Sequence, residues 1–138
     1  MLSEGDIRDA TPEDKQWVAK LFDANSTVLG NMGGGTMFWR WQTAAGKNER
    51  LIVIPQLGFA HFRVKKDGTR VLYEIAVDAA AKRQGVGRLL MKVVGRPVLL
   101  KTDRDHAESN GFYRALGLTH CGTTVAKSGK KLNVWQGW

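Results

Sequence analysis

Ten residues hold the clearest chemical signal in the chain: Lys82-Arg83-Gln84-Gly85-Val86-Gly87-Arg88-Leu89-Leu90-Met91, directly after the β-like run Val71-Leu72-Tyr73-Glu74-Ile75-Ala76-Val77. Strand, basic glycine loop and helix start follow one another. Gly85 and Gly87 let backbone approach a ligand with no Cβ in the way, and the N–H groups at a helix N-terminus point at negative charge. The arrangement is an anion cradle, and a phosphate is its natural guest.

Spacing excludes two other glycine loops. A P-loop needs Lys-Ser or Lys-Thr after its last glycine, where this chain has Arg88-Leu89. A dinucleotide fingerprint needs a third glycine where Leu90 stands. The stretch resembles the pyrophosphate loop of the GNAT acyltransferases: Arg or Gln, two variable residues, Gly, one variable residue, then Gly or Ala, with Lys82 in the first place. The segment Glu108-Ser109-Asn110-Gly111-Phe112-Tyr113-Arg114-Ala115-Leu116-Gly117-Leu118 is similar to a later helix of that family, commonly Phe-Tyr, three residues, then Gly-Phe. Leu118 replaces the usual Phe. The two motifs cover residues 71–118, and the order of elements extends the likeness loosely over the chain.

The resemblance implies acetyl transfer from acetyl-CoA to a primary amine by direct attack in a ternary complex. That reaction needs a neutral nucleophile, stabilisation of the oxyanion and a proton for the departing thiolate. Tyr113 is the candidate acid. At helical spacing His106, Ser109, Asn110 and Tyr113 share one side, and Phe112, Ala115 and Leu116 form an apolar one. The other reading of Tyr113 is a packing residue whose hydroxyl bonds backbone. Glu74 is the candidate base, directly or through water, with His61 and Asp103 as weaker alternatives. Alternation puts Glu74 and Ala76 on one face of their strand and Tyr73, Ile75 and Val77 on the other. The competing role for Glu74 is a cross-strand ion pair with Arg63 or Arg70.

By the same resemblance, the pantetheine arm pairs with backbone at Ile75, Ala76 and Val77, an N–H there meets the oxyanion, and Lys82, Arg83, Gln84, Gly85, Val86, Gly87 and Arg88 hold the pyrophosphate. His106, where the family often has an asparagine, and Ser109 complete the expected cofactor contacts. One cysteine, Cys121, and three scattered histidines, His61, His106 and His120, predict no metal. A ping-pong route through Cys121 is disfavoured, since a lone cysteine in a strand usually packs.

The rest of the chain must position these groups. Its 138 residues, 43% hydrophobic and 25% charged, predict one domain over residues 1–138, with no membrane span and no signal peptide at the N-terminus, hence a cytoplasmic protein. The net charge is +8, and between Lys82 and Arg104 seven basic residues face one acid, Asp103, a field that suits coenzyme A. It also suits nucleic acid. A basic nucleic-acid-binding domain and a non-catalytic acyl-CoA-binding module are therefore the alternative readings, and a homodimer stays open.

A short first strand is expected within residues 6–10, then a helix with Thr11 as N-cap, Pro12 at its first position, and Trp17, Val18, Leu21 and Phe22 on its buried face. Asn31-Met32-Gly33-Gly34-Gly35-Thr36 is expected to be irregular, and residues 37–41 helical or extended. Strands at 51–54, 58–65 and 70–77 form an antiparallel meander, turning at Asp67-Gly68. After the glycine loop a helix ends at Gly95 and Pro97, a strand at 98–100 lies parallel to 71–77, a helix covers 107–116, and strands near 118–126 and 131–136 close the chain. The expected fold is α/β: a GNAT-like, mostly antiparallel sheet with helices on both faces and a parallel pair splayed around the cofactor. Phe38, Trp39, Trp41 and Trp135 are either an aromatic floor for an amine acceptor or core.

Overall fold

Seven strands form one sheet in the order β1-β2-β3-β4-β5-β7-β6 in the computed structural model, which describes residues 2–25, 33–44 and 48–138. The strands are β1 (Arg8–Asp9), β2 (Glu49–Ile54), β3 (Gly58–Val64), β4 (Arg70–Val77), β5 (Val98–Asp103), β6 (Thr119–Val125) and β7 (Lys131–Gly137). Every neighbouring pair is antiparallel except β4 and β5. Among the described residues, four α-helices cover the sheet: α1 (Lys15–Ala24), α2 (Gly34–Ala44), α3 (Val86–Val94) and α4 (Ala107–Ala115). None of the described helices is long and apolar enough to cross a membrane.

The aliphatic run Leu51-Ile52-Val53-Ile54 shows how the layers are built. Alternation sends Leu51 and Val53 into a core with Val18 and Phe22 of α1 and Met37 and Phe38 of α2. Ile52 and Ile54 enter a second core with Leu90 and Val94 of α3 and with Tyr113 of α4. A strand covered on both faces has no polar side to show, which is why this one is continuously apolar.

The structure departs from the sequence expectations at three places. Residues Pro12–Asp14 form a 3-10 turn, so the α-helix begins at Lys15 rather than Pro12. Glycines 34 and 35, expected to be irregular, open α2. A Cβ on Gly34 would lie 2.3 Å from the Ala19 carbonyl oxygen, so only glycine lets α2 start against the α1 backbone, where the Gly34 N–H also donates to Asp23 at 2.8 Å. Asn31 and Met32 lie outside the described residues.

The third departure is a β-bulge. His61 opposes Glu74 and Phe62 opposes Leu72, which leaves Tyr73 without a partner. Two consecutive side chains then share a face. Tyr73 lies 5.2 Å from the His61 ring and beneath the Arg40 guanidinium of α2, not beside Ile75 and Val77 as regular alternation expects. Leu72, Ile75 and Val77 pack toward α3 and α4. Of the tryptophans, Trp41 and Trp135 are core, while Trp39 and Trp138 are exposed. Phe38 is also fully buried, so no aromatic floor forms from this set.

Candidate active site

The parallel ladder between β4 and β5 is short. Only Arg70 with Val98 and Val71 with Leu99 are in register, and beyond them the strands part, leaving the β4 backbone edge open toward β5. A cavity of about 730 Å³ occupies the gap, walled by Ile75, Ala76 and Val77, by the loop after β4, and by α4. That volume falls in the range of small-molecule and cofactor sites, roughly 300–1,000 Å³.

The loop is shaped by two left-handed residues, Arg83 (φ 67°) and Gly85 (φ 81°). Gly85 caps α3, and the first intrahelical bond runs from Leu89 N–H to the Gly85 carbonyl at 2.9 Å. The N–H groups of Val86, Gly87 and Arg88 therefore have no backbone acceptor among the described residues, and all three line the cavity. Gly87 has a further reason to be glycine. A Cβ there would come 3.2 Å from Phe112 Cζ, so it permits α3 and α4 to approach each other.

Lys82 and Arg83 border the cavity, and Lys82 pairs with the exposed Glu108 at 3.2 Å. Gln84 does not join them. Its amide reaches back toward the Ala80 carbonyl at 3.3 Å, and it lines a separate cavity of about 610 Å³ with Lys92 and Arg96. His106 is the N-cap of α4: Nδ1 accepts the Ser109 N–H at 3.2 Å and meets the Ser109 hydroxyl at 2.7 Å. An Nδ1 that accepts a backbone N–H carries no hydrogen, so the ring proton sits on Nε2. Both residues line the cavity.

Tyr113 lines it as well. Its ring is 4% exposed, packed edge-on against Phe112 at 5.1 Å, and its hydroxyl has no hydrogen-bond partner among the described residues. Burial pushes the phenol pKa far above its usual range. Asn110, expected on the same side, turns away. Its Oδ1 receives Thr102 Oγ1 at 2.5 Å, Asn133 Nδ2 at 3.1 Å and Trp135 Nε1 at 3.3 Å, while its Nδ2 donates to the Asp103 and Arg104 carbonyls. Sequence reasoning missed this buried network, which anchors α4 to β5 and β7. The available signal was an amide on a helix whose neighbouring strands contribute Thr102 and Asn133.

Glu74 does not line the cavity. It lies on the other face of β4, one residue before Ile75, with Oε2 2.5 Å from His61 Nδ1. The far ring nitrogen, Nε2, is 2.8 Å from Glu49 Oε1. The partner of Glu74 is thus His61 rather than Arg63 or Arg70. Arg63 opposes Glu49 in the β2–β3 register, and Arg70 donates to the Gly68 and Arg96 carbonyls. No group of three or more His, Cys, Asp or Glu among the described residues is arranged to hold a metal ion.

A family model for the acetyltransferase (GNAT) domain matches residues 33–119, well over half of the chain. The protein belongs to the GNAT acetyltransferase family. Its fold agrees with solved GNAT structures at low sequence identity. Ribosomal-protein-alanine N-acetyltransferase from Brucella melitensis aligns with a TM-score of 0.74 and 18% identity, over 95% of this chain and 98% of that one. Ard1 from Thermoplasma volcanium aligns with a TM-score of 0.72 and 18% identity, over 94% and 95%. YncA from Salmonella typhimurium, solved with its cofactor acetyl-CoA, aligns with a TM-score of 0.70 and 16% identity, over 94% and 91%. A search of curated proteins by sequence returns no match. The mixed sheet with one splayed parallel pair is the architecture these GNAT structures share with this chain.

Proposed function

We propose that this GNAT chain works as one domain that binds acetyl-CoA and transfers the acetyl group to a primary amine by direct attack in a ternary complex. One observation carries the reading: the open edge of β4, the three orphan N–H groups of the α3 N-terminus and the unpartnered Tyr113 hydroxyl meet in one cavity. The residues present fit the cofactor. The N–H groups of Val86, Gly87 and Arg88, with Lys82 and Arg83 beside them, match a pyrophosphate, and the strand edge at Ile75, Ala76 and Val77 offers backbone to amide groups.

Bound acetyl-CoA would supply an activated acyl group on sulfur. Tyr113 Oη would hold the proton that the departing sulfur takes up, and a backbone N–H of the β4 edge would meet the carbonyl oxygen. Glu74, on the face of β4 turned toward α1 and α2, would take the proton of the acceptor ammonium. His106 and Ser109 would shape the cavity wall by fixing the α4 start. Cys121 lies on β6, where its thiol faces the Thr119 carbonyl at 3.4 Å, and it does not line the cavity, which favours direct attack over an acyl-enzyme. A lone free cysteine suits a reducing compartment, and the cytoplasm is the proposed location.

The test is a thermal melt with acetyl-CoA and with CoA, followed by a screen of amines read by free-thiol release. The screen starts from a peptide with an N-terminal alanine, because a structural neighbour is named for ribosomal-protein alanine, and continues with lysine peptides and small amines. A melt unmoved by saturating acetyl-CoA overturns the proposal.

A further inference from the structure

The β4 face toward α1 and α2 holds a cluster that no part of the cavity explains. The His61 side chain is 1% exposed, and its two ring nitrogens each meet a carboxylate, Glu74 at 2.5 Å and Glu49 at 2.8 Å. A bare ring nitrogen facing a bare carboxylate oxygen repels it, so each contact must contain a proton. Two protons shared by one imidazole and two carboxylates leave the cluster with a net charge of −1. Glu49 and Glu74 are themselves only 12% and 10% exposed. Burying such a charge is unfavourable, and a well-packed apolar set of the same volume would avoid that cost. The surroundings are otherwise plain. The Tyr73 ring lies tilted against His61, Arg40 of α2 lies over Tyr73 at 5.4 Å, and Arg63 opposes Glu49. Helix α1 brings Val18, Leu21 and Phe22, and its Asp23 accepts the Gly34 N–H.

We propose that Glu49, His61 and Glu74 titrate as one acid–base unit serving the amine acceptor, with Glu74 taking the proton and Glu49 setting its basicity through His61. Glu74 Oε2 is held by His61, while Oε1 has no hydrogen-bond partner among the described residues. In the step, an N–H bond of the ammonium breaks, an O–H bond forms at Glu74 Oε1, and the electron pair stays on nitrogen as the nucleophile. The unit passes from −1 to neutral and later returns the proton to water. An imidazolium alone would weaken Glu74 as a base. The Glu49 carboxylate on the far nitrogen offsets that positive charge. His61 and Glu49 are positioning residues, and their use in catalysis rests on the acetyltransferase reading, whereas their shared titration does not.

The experiment is nitrogen and carboxyl NMR titration of the full chain, wild type and Glu49→Gln. In the wild type both His61 ring nitrogens should be protonated at neutral pH, and the His61 and Glu74 signals should change over a common transition. Removing one negative charge lowers the proton affinity of what remains, so Glu49→Gln should move that transition to lower pH. With the N-terminal-alanine peptide as probe, the acidic limb of kcat/KM should move the same way, with the KM for acetyl-CoA unchanged. A neutral single-tautomer His61 in the wild type, or a transition unmoved in folded Glu49→Gln, overturns the unit. Peptide acetylation with an unmoved acidic limb overturns its catalytic use alone. A melt insensitive to acetyl-CoA beside a shared titration overturns the transferase reading and leaves the unit standing.

Discussion

Replacing Tyr113 by Phe separates chemistry from packing, because the packing rests on the ring and the proposed acid role on the hydroxyl. The ring is 4% exposed and packs against Phe112 and Trp135, contacts that Phe keeps. The hydroxyl has no partner among the described residues, so its removal orphans no buried group, and stability should change by less than about 1 kcal/mol. Turnover should not be spared. A positioned general acid contributes typically on the order of 10²- to 10⁴-fold, about 2.7 to 5.4 kcal/mol of barrier. The expected result is a fall in kcat of that size with the KM for acetyl-CoA little changed, measured by thiol release with the amine that the screen identifies. The pH dependence has a definite sign as well. The native phenol pKa is raised, so the native state keeps its proton where the unfolded chain begins to ionise, near pH 10, and stability falls as pH rises beyond that point. Tyr113→Phe should remove this alkaline loss. An unchanged kcat where chemistry limits the rate, with folded protein, would refute the acid assignment and leave Tyr113 as packing.

Saturating acetyl-CoA at 100 times its dissociation constant should stabilise the chain by about 2.7 kcal/mol, on the order of 8 °C in Tm at this length. Gly34→Ala should destabilise by about 3 kcal/mol in chemical denaturation, since the added Cβ meets Ala19 backbone, which cannot swing aside as a side chain would. Asp14→Ala should cost about 2 to 3 kcal/mol, because the buried carboxylate accepts two bonds from Arg8, one from the Thr11 N–H and one from Trp17 Nε1. The Arg8 hydrogen bond is the leading cause that holds this carboxyl well below the usual range, so its contribution is complete above about pH 4 and declines as pH falls further. A wild-type acid melt matching that of Asp14→Ala would contradict this.

What the sequence revealed is what is local. The glycine loop was legible because the left-handed residue Gly85, the apolar face of α3 and the terminating Gly95 are near neighbours in the chain, and each follows from a rule about one or two residues. Strands β2 to β4 were legible for the same reason. The start of α2 was not, since three glycines oppose a helix by propensity, and what favours one is the Ala19 backbone fifteen residues away. Asn110 shows a different limit. Helical spacing groups it with His106, Ser109 and Tyr113, but a helix lying between a cavity and two strands has a boundary running through that group, and only Thr102, Asn133 and Trp135 in place show on which side Asn110 falls.

The bulge at Tyr73 changes what surrounds the proposed base. Period-two alternation cannot report it, because a bulge is a mismatch between two strands and not a property of one. Glu74 keeps the face that alternation gives it, toward α1 and α2, and the bulge brings Tyr73 onto that face beside His61, while Tyr113 faces the same strand from α4, within the opposite core. An apolar setting keeps a phenol protonated. The proposed base and the proposed acid thus stand on opposite sides of β4. In the proposed mechanism, the open backbone edge of β4 is where an acceptor on one side and a thioester sulfur on the other would each be served.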